Sequence, residues 1–279
     1  MTPITWEKYL GMADFLAPWQ RRNIAAFALN AALTFGVGTG GKLGDAIGAK
    51  SNVEISEKYP SLVTPAGWAF AIWGPIFTLE ACFTVWQALA LAGAEPAFVA
   101  ASPYWCAGCA LQAVWTLAFA FERLALSSLL CAGITAGVGA AYARFRPLAA
   151  AAGAPRAARA LAGFALALHC AWLIAATLVN VNLIAVQRRA APAAQARLAR
   201  WTLALVPCAG AGLALACRES TFALVGVWAC LAIAHAPHPR SVAEKFGPRV
   251  LRDVSEQASN AALALAFAAA AVTVRELLG

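Results

Sequence analysis

The chain has 279 residues, 62% of them hydrophobic and 12% charged, with a mean hydropathy of +0.69 and a formal charge of +8. So little polar surface cannot cover a soluble globule of this size, and a lipid bilayer must cover part of it. The basic residues are scattered through short connections without a basic fold unit, which argues against a nucleic-acid partner.

The first 22 residues contain Trp6, Tyr9, Phe15, Trp19, Arg21 and Arg22 but no continuous apolar core of the kind a cleavable signal needs. Their apolar positions suggest an interfacial amphipathic segment. A chain with its transit peptide already removed would read the same way, so plasma and organellar membranes both stay open. Beyond it, apolar runs recur near the roughly 20 residues needed to cross a hydrocarbon core. They predict eight helices at about 23–40, 67–91, 104–121, 124–143, 161–186, 201–217, 221–235 and 259–277. The short run 221–235 is the weakest, which makes seven the fallback count. Backbone groups in lipid must be paired within their own helix, so the expected fold is all-α, a polytopic integral membrane bundle. Glu122 and Arg123 divide 104–143 into two helices joined by an interfacial turn, because both charges would be costly in lipid. The 21 lysines and arginines divide nearly evenly between the two faces and do not fix an orientation.

Several residues stand out in chain order. Glycines 36, 38, 40 and 41 end the first helix, and a connection of roughly 25 residues, stiffened by Pro60 and Pro65, leads to Gly67. Connections of that length act as lids or binding loops, or are plain ordered turns. Trp68, Trp73 and Trp86 follow in one span with Pro75; such rings serve as ligand walls or as interfacial anchors. Glu80 lies mid-span, where a carboxylate costs about 2.5–3.5 kcal/mol, so it should face the interior and pair. His169 is a candidate partner; a basic or metal-bearing ligand, or protonation in place, is the alternative. Cys106 and Cys109 form a C-x-x-C, but no second pair or nearby histidine accompanies them. Eight cysteines lying almost entirely within spans read as packing residues, and three histidines make no metal site. Gly133 and Gly137, like Gly36 and Gly40, form G-x-x-x-G pairs that allow close helix packing, within the chain or in a homodimer.

The run YPSLVTPAGWAFAIWGPIF at 59–77 resembles the second-helix signature of the tryptophan-rich sensory protein or translocator protein family. LQAVWTLAFAFERLALSSLL at 111–130 is similar to that family's third and fourth helices, and HCAWLIAATLVNVN at 169–182 to its fifth. The likeness runs over roughly 54–235 and extends to longer members with extra helices. After the interfacial segment at 1–22, it implies a five-helix core at 23–186 and additional transmembrane helices at 187–279. It also implies a pocket, opening toward the first loop, for porphyrins or other hydrophobic ligands. By matching position, Trp68, Trp73, Trp115, Trp172, Thr177 and Asn180 would line it. Departures occur at Phe77, where members often place Tyr, at Gln112, where they often place Asn, and at Ser127 and Ser128, near a common acidic position. Phe77 cannot hydrogen-bond and Gln112 can, so polar recognition of a ligand should differ.

Helical spacing places Trp68, Ile72 and Phe77 near one face and Trp73 about 100° round from Ile72, so two faces carry aromatics. Aromatic walls suit a flat tetrapyrrole, each stacking pair adding about 0.5–1.5 kcal/mol beyond burial; interfacial belts or helix packing are the competing reading. The expectation is a receptor or carrier in the bilayer, binding a tetrapyrrole or other pigment between helices one, two, three and five. The alternative is an accessory structural subunit packed on a larger membrane pigment–protein complex. No convincing acid, base and nucleophile set marks an enzyme.

Overall fold

The structure, a computed structural model, describes residues 16–88, 95–154 and 156–278. Most of the expected interfacial segment at 1–22 falls outside the described residues. Among those described there is no strand, and helices follow one another from Pro18 to Leu278. Helix α1 spans Pro18–Leu33 and continues as a π-helical turn, Thr34–Gly38. Two short helices, α2 (Lys42–Ala46) and α3 (Asn52–Lys58), occupy the long connection. A 3₁₀ stretch, Gly67–Ile72, leads into α4 (Trp73–Ala88). Then come α5 (Glu95–Ala120), α6 (Leu124–Ala151), α7 (Arg156–Gln187), α8 (Pro192–Cys217), α9 (Thr221–Ala234) and α10 (Arg240–Leu278).

Six of these helices are long and apolar enough to cross a membrane, and the protein is a multi-pass integral membrane protein. The shorter α9 and the polar α1 complete the eight-helix pattern expected from hydropathy. Several helices run past their expected ends; α5 begins at 95 instead of 104, and α6 continues to 151. Hydropathy marks the stretch matched to hydrocarbon, whereas a helix continues into the headgroup region wherever its backbone bonds are satisfied. The largest shift is in α10, which starts at 240 and is broken at Gly247 (φ 74°) just before Pro248.

Helix α1, at 16 residues with Arg21 and Arg22 in its first turns, is shorter and more polar than the six long spans. Gln20, Asn23 and Asn30 are buried, and they face neighbouring helices instead of lipid. Asn23 Nδ2 donates to Gln87 Oε1 at 2.6 Å, and Ser102 Oγ donates to Asn23 Oδ1 at 2.6 Å, tying α1 to α4 and α5. The most enclosed span is α7, two-thirds of whose apolar window (67%) is buried, so it forms the axis of the bundle.

The α5–α6 hairpin turns at Glu122, which adopts a left-handed conformation (φ 60°). Its helices approach closely at Gly108 and Gly137: a Cβ on Gly137 would stand 3.1 Å from the Tyr104 carbonyl oxygen and 3.3 Å from the Gly108 amide nitrogen. The G-x-x-x-G pair of α6 is thus used within the chain. At the other end of the sequence Leu265 of α10 enters a slot between α8 and α9, where a Cβ on Gly210 or on Gly226 would lie 2.8 Å from its methyl groups.

These contacts set a paired prediction. Gly137→Ala presses a methyl on backbone that cannot yield and should destabilise by about 1–3 kcal/mol. Gly163→Ala, in a helix with nothing within 4 Å of the new methyl, should be neutral or stabilise by up to ~1 kcal/mol. Thermal unfolding in detergent compares the two; equal midpoints would remove the close-packing account.

Candidate ligand-binding cavity

The connection between α1 and α4 folds because its termini are anchored. Ser51 caps α3 by accepting from the Glu54 amide at 3.2 Å, while the Glu54 carboxylate accepts from the Ser51 amide at 2.7 Å. A Cβ on Gly41 would lie 2.9 Å from the carbonyl oxygens of Phe35 and Gly36, so only glycine permits this return of the chain. Glu122, in the α5–α6 turn, gathers the far side: its carboxylate accepts from Lys50, from Lys58 at 2.5 Å and from the Tyr59 hydroxyl. Gln187 of α7 donates to the Glu122 carbonyl at 2.8 Å. The two ammonium groups and the phenol hold the Glu122 carboxyl down at about 2, and the carboxylate in turn raises Lys58.

Beneath this latch lies a cavity of about 70 Å³. Asn52 and Ser56 of α3, and Val63 and Pro65 of the following loop, form its ceiling. The side walls are Phe70 and Trp73, then Gln112, Trp115 and Phe119 of α5, Cys131 and Ile134 of α6, and α7 from Trp172 to Leu183. Thr202, Leu203 and Val206 of α8, with Ala229 and Ile233 of α9, close it. Its aromatics are arranged edge to face: Trp73 meets Trp172 at 6.2 Å and 88°, and Phe70 meets Trp172 at 6.1 Å and 88°, while Trp115 stacks on Phe119 at 5.1 Å and 17°.

Among the described residues no acidic or basic side chain lines the cavity. Four of its polar atoms are buried without a partner: Asn52 Oδ1, Gln112 Oε1, Trp115 Nε1 and Trp172 Nε1. Two of the other polar linings are engaged locally. Asn180 Oδ1 accepts from Ser127 at 2.8 Å, and Thr202 accepts from Asn182 at 2.9 Å.

The structure therefore brings together Trp73, Gln112, Trp115, Trp172 and Asn180 around one space, and leaves Trp68, Phe77 and Thr177 outside it. Trp68 is 46% exposed and meets Trp228 of α9 edge-on at 4.7 Å. The reason is local: Gly67–Ile72 is 3₁₀, where side chains advance by about 120° per residue, so the α-helical spacing that aligned Trp68 with Phe77 does not hold. Phe77 is buried against Phe27 and Phe35 of the first helix, at 6.1 and 4.9 Å. Those phenyl rings fill the space between α1 and α4, so α1 contributes nothing to the cavity. The expectation of a pocket between helices one, two, three and five is corrected accordingly: α3, α6, α8 and α9 take part and α1 does not. Thr177 bonds to Thr135 at 3.2 Å and to the Leu173 carbonyl at 2.7 Å. Asn52, Phe70, Leu203 and Ile233 were not legible as site residues, since nothing in their local sequence separates them from ordinary packing positions.

Elsewhere in the spans, Glu80 and His169 sit 2.8 Å apart and both are buried. Cys106 and Cys109 do not form a bridge; all eight cysteines are free, and among the described residues no cluster of three His, Cys, Asp or Glu could hold a metal.

A helical bundle with several lipid-length spans and an enclosed aromatic cavity under a structured loop defines a polytopic membrane protein of the ligand-binding type. The chain belongs to the TSPO-like protein family, whose model matches residues 23–274. Neither the curated proteins nor the solved structures contain a match to it.

The Glu122 latch should be acid-sensitive. A carboxyl held at about 2 when folded and near 4.5 when free contributes fully above about 4.5, and that contribution is lost as pH falls through about 2. Amide protection over 50–60, taken relative to the intrinsic exchange rate at each pH, should fall across that window, and Glu122→Gln should show the reduced protection already at neutral pH. A loop equally protected in the variant would mean that the latch does not hold it.

Proposed function

We propose that the protein is a membrane receptor or carrier whose cavity binds an apolar small molecule bearing a few polar groups. The observation that carries this is the set of four unpartnered polar atoms in an otherwise apolar, aromatic enclosure. A buried donor or acceptor without a partner costs about 1–3 kcal/mol, so a site that keeps two indole N–H groups and two amide oxygens free is organised for something that supplies their partners. Membership of the TSPO-like family supports a ligand-binding role.

A tetrapyrrole is the ligand class we put first, on the resemblance to porphyrin-binding relatives and on the aromatic walls. The cavity of about 70 Å³ is well below the roughly 300–1,000 Å³ of sites that enclose drug-sized ligands. Admission of a macrocycle therefore requires the loop from α3 to Pro65 to lift, with the Glu122 latch as its fastening. The uncharged lining also means that propionate groups must lie outside the cavity, toward the loop.

Protoporphyrin should quench the tryptophan fluorescence of the purified protein. Trp115→Phe and Trp172→Phe keep the rings and remove the N–H donors; each should weaken binding by roughly 3- to 10-fold, the worth of about 0.5–1.5 kcal/mol. Trp68→Phe, outside the cavity, should leave affinity within about twofold. Affinity unchanged in the Trp115 and Trp172 double variant would defeat this reading.

A further inference from the structure

The cavity leaves unexplained the most expensive feature of the bundle. Glu80 of α4 and His169 of α7 are 0% and 2% exposed, deep in two membrane-spanning helices. Glu80 Oε1 is 2.8 Å from His169 Nδ1 and accepts from Trp105 Nε1 of α5 at 3.2 Å. The outer atoms of the pair, Glu80 Oε2 and His169 Nε2, are buried with no partner at all. Neither residue lines the cavity, from which His169 is separated by the edge-on ring of Trp73 at 5.7 Å.

The charge balance of this pair is constrained. With a carboxylate and a neutral imidazole donating from Nδ1, the site carries one uncompensated negative charge and two orphaned acceptors, Oε2 and Nε2. Among the described residues no lysine or arginine lies within ion-pair distance of Glu80, whose recorded partner is His169. The titratable side chains buried in the helices around the pair, Cys109 of α5, Cys131 of α6, Cys170 of α7 and Cys230 of α9, are thiols that carry no positive charge. A buried lone charge costs several kcal/mol, whereas one added proton neutralises the site and satisfies one of the acceptors in the same step.

We propose that Glu80 and His169 form an intramembrane proton-binding site, separate from the ligand cavity, that holds one proton beyond the Nδ1–H. That proton has two seats. On Oε2 it leaves a neutral acid beside a neutral imidazole; on Nε2 it leaves a carboxylate beside an imidazolium. Total charge is the same in both, so either placement leaves the pair with no net charge in lipid.

Polar side chains lie along α4 from the site toward the end of the bundle opposite the loop. Thr84 and Gln87 follow Glu80 at intervals of four and three residues, on one face of α4. Gln87 is bonded to Asn23, and Asn23 to Ser102. Gln87 Nε2 and Asn30 Nδ2 remain unpartnered, and are polar positions of the kind that hold ordered water.

The test uses the full-length protein in lipid nanodiscs at pH 8, where exposed carboxyls are ionised. Infrared spectroscopy reads protonated carboxyl, and ¹⁵N-histidine NMR reads the imidazole. The expected result is either a carboxylic C=O stretch absent from Glu80→Gln or an imidazolium signal absent from His169→Gln. That signal should exchange in D₂O at least tenfold more slowly in Asn23→Leu, and be unaffected by replacing Na⁺ with K⁺. A carboxylate with a neutral imidazole in the wild-type protein would overturn the proposal, whatever the variants do. A Na⁺-dependent signal would also overturn it, because the occupant would then be a metal cation. All of these readouts are independent of porphyrin binding, so either reading can fail alone.

Discussion

Non-helical backbone at membrane depth has to be paired by something, and in this protein that requirement organises the site. The chain re-enters the bundle through Pro65 and the 3₁₀ stretch Gly67–Ile72, where α-helical bonds are missing. Helix α9 supplies the partners: the Ala66 amide donates to the Ala232 carbonyl at 2.9 Å, and Trp228 Nε1 donates to the Ala69 carbonyl at 3.0 Å. In hydrocarbon each such group left alone would cost several kcal/mol. The C-terminal helices are therefore structural partners of the first part of the chain, and their side chains Leu203, Ala229 and Ile233 become cavity wall as a consequence.

From that junction the two polar systems of the interior separate. On one side, Trp73 and Trp172 face the neutral cavity below the loop; on the other, Trp73 lies edge-on to His169 and so borders the Glu80 pair. The aromatic ring divides an uncharged, hydrogen-bonding space from a titratable one. Low dielectric strengthens both: orphaned donors bind harder, and a lone ion is less tolerable.

The loop connects these features to the aqueous face. Its short helices, the Ser51 cap and the Glu122 latch keep a ceiling over the cavity using interactions that are largely solvent-exposed, and exposed ion pairs are weak. A ceiling fastened this way opens at low cost, as access to a buried site requires. The stiff part of the molecule, the α5–α6 crossing at Gly108 and Gly137 with α7 behind it, does not need to move.

The amino-acid order determined the solvent, the all-helical class, the eight-helix pattern and the turn at Glu122, because hydrophobic run length and the cost of charge in lipid act locally along the chain. It also marked Glu80 as an interior carboxylate with His169 among its candidate partners, since few residues are so costly in a span. Which aromatics share a space was decided only by the folded bundle. Trp68 left the site because its turn is 3₁₀, α1 left it because Phe27 and Phe35 fill the gap beside Phe77, and α9 entered it by pairing the re-entrant backbone, with α8 packed beside it. Each of these depends on contacts between residues far apart in sequence, and periodicity within one helix carries no information about what the neighbouring helix will bring.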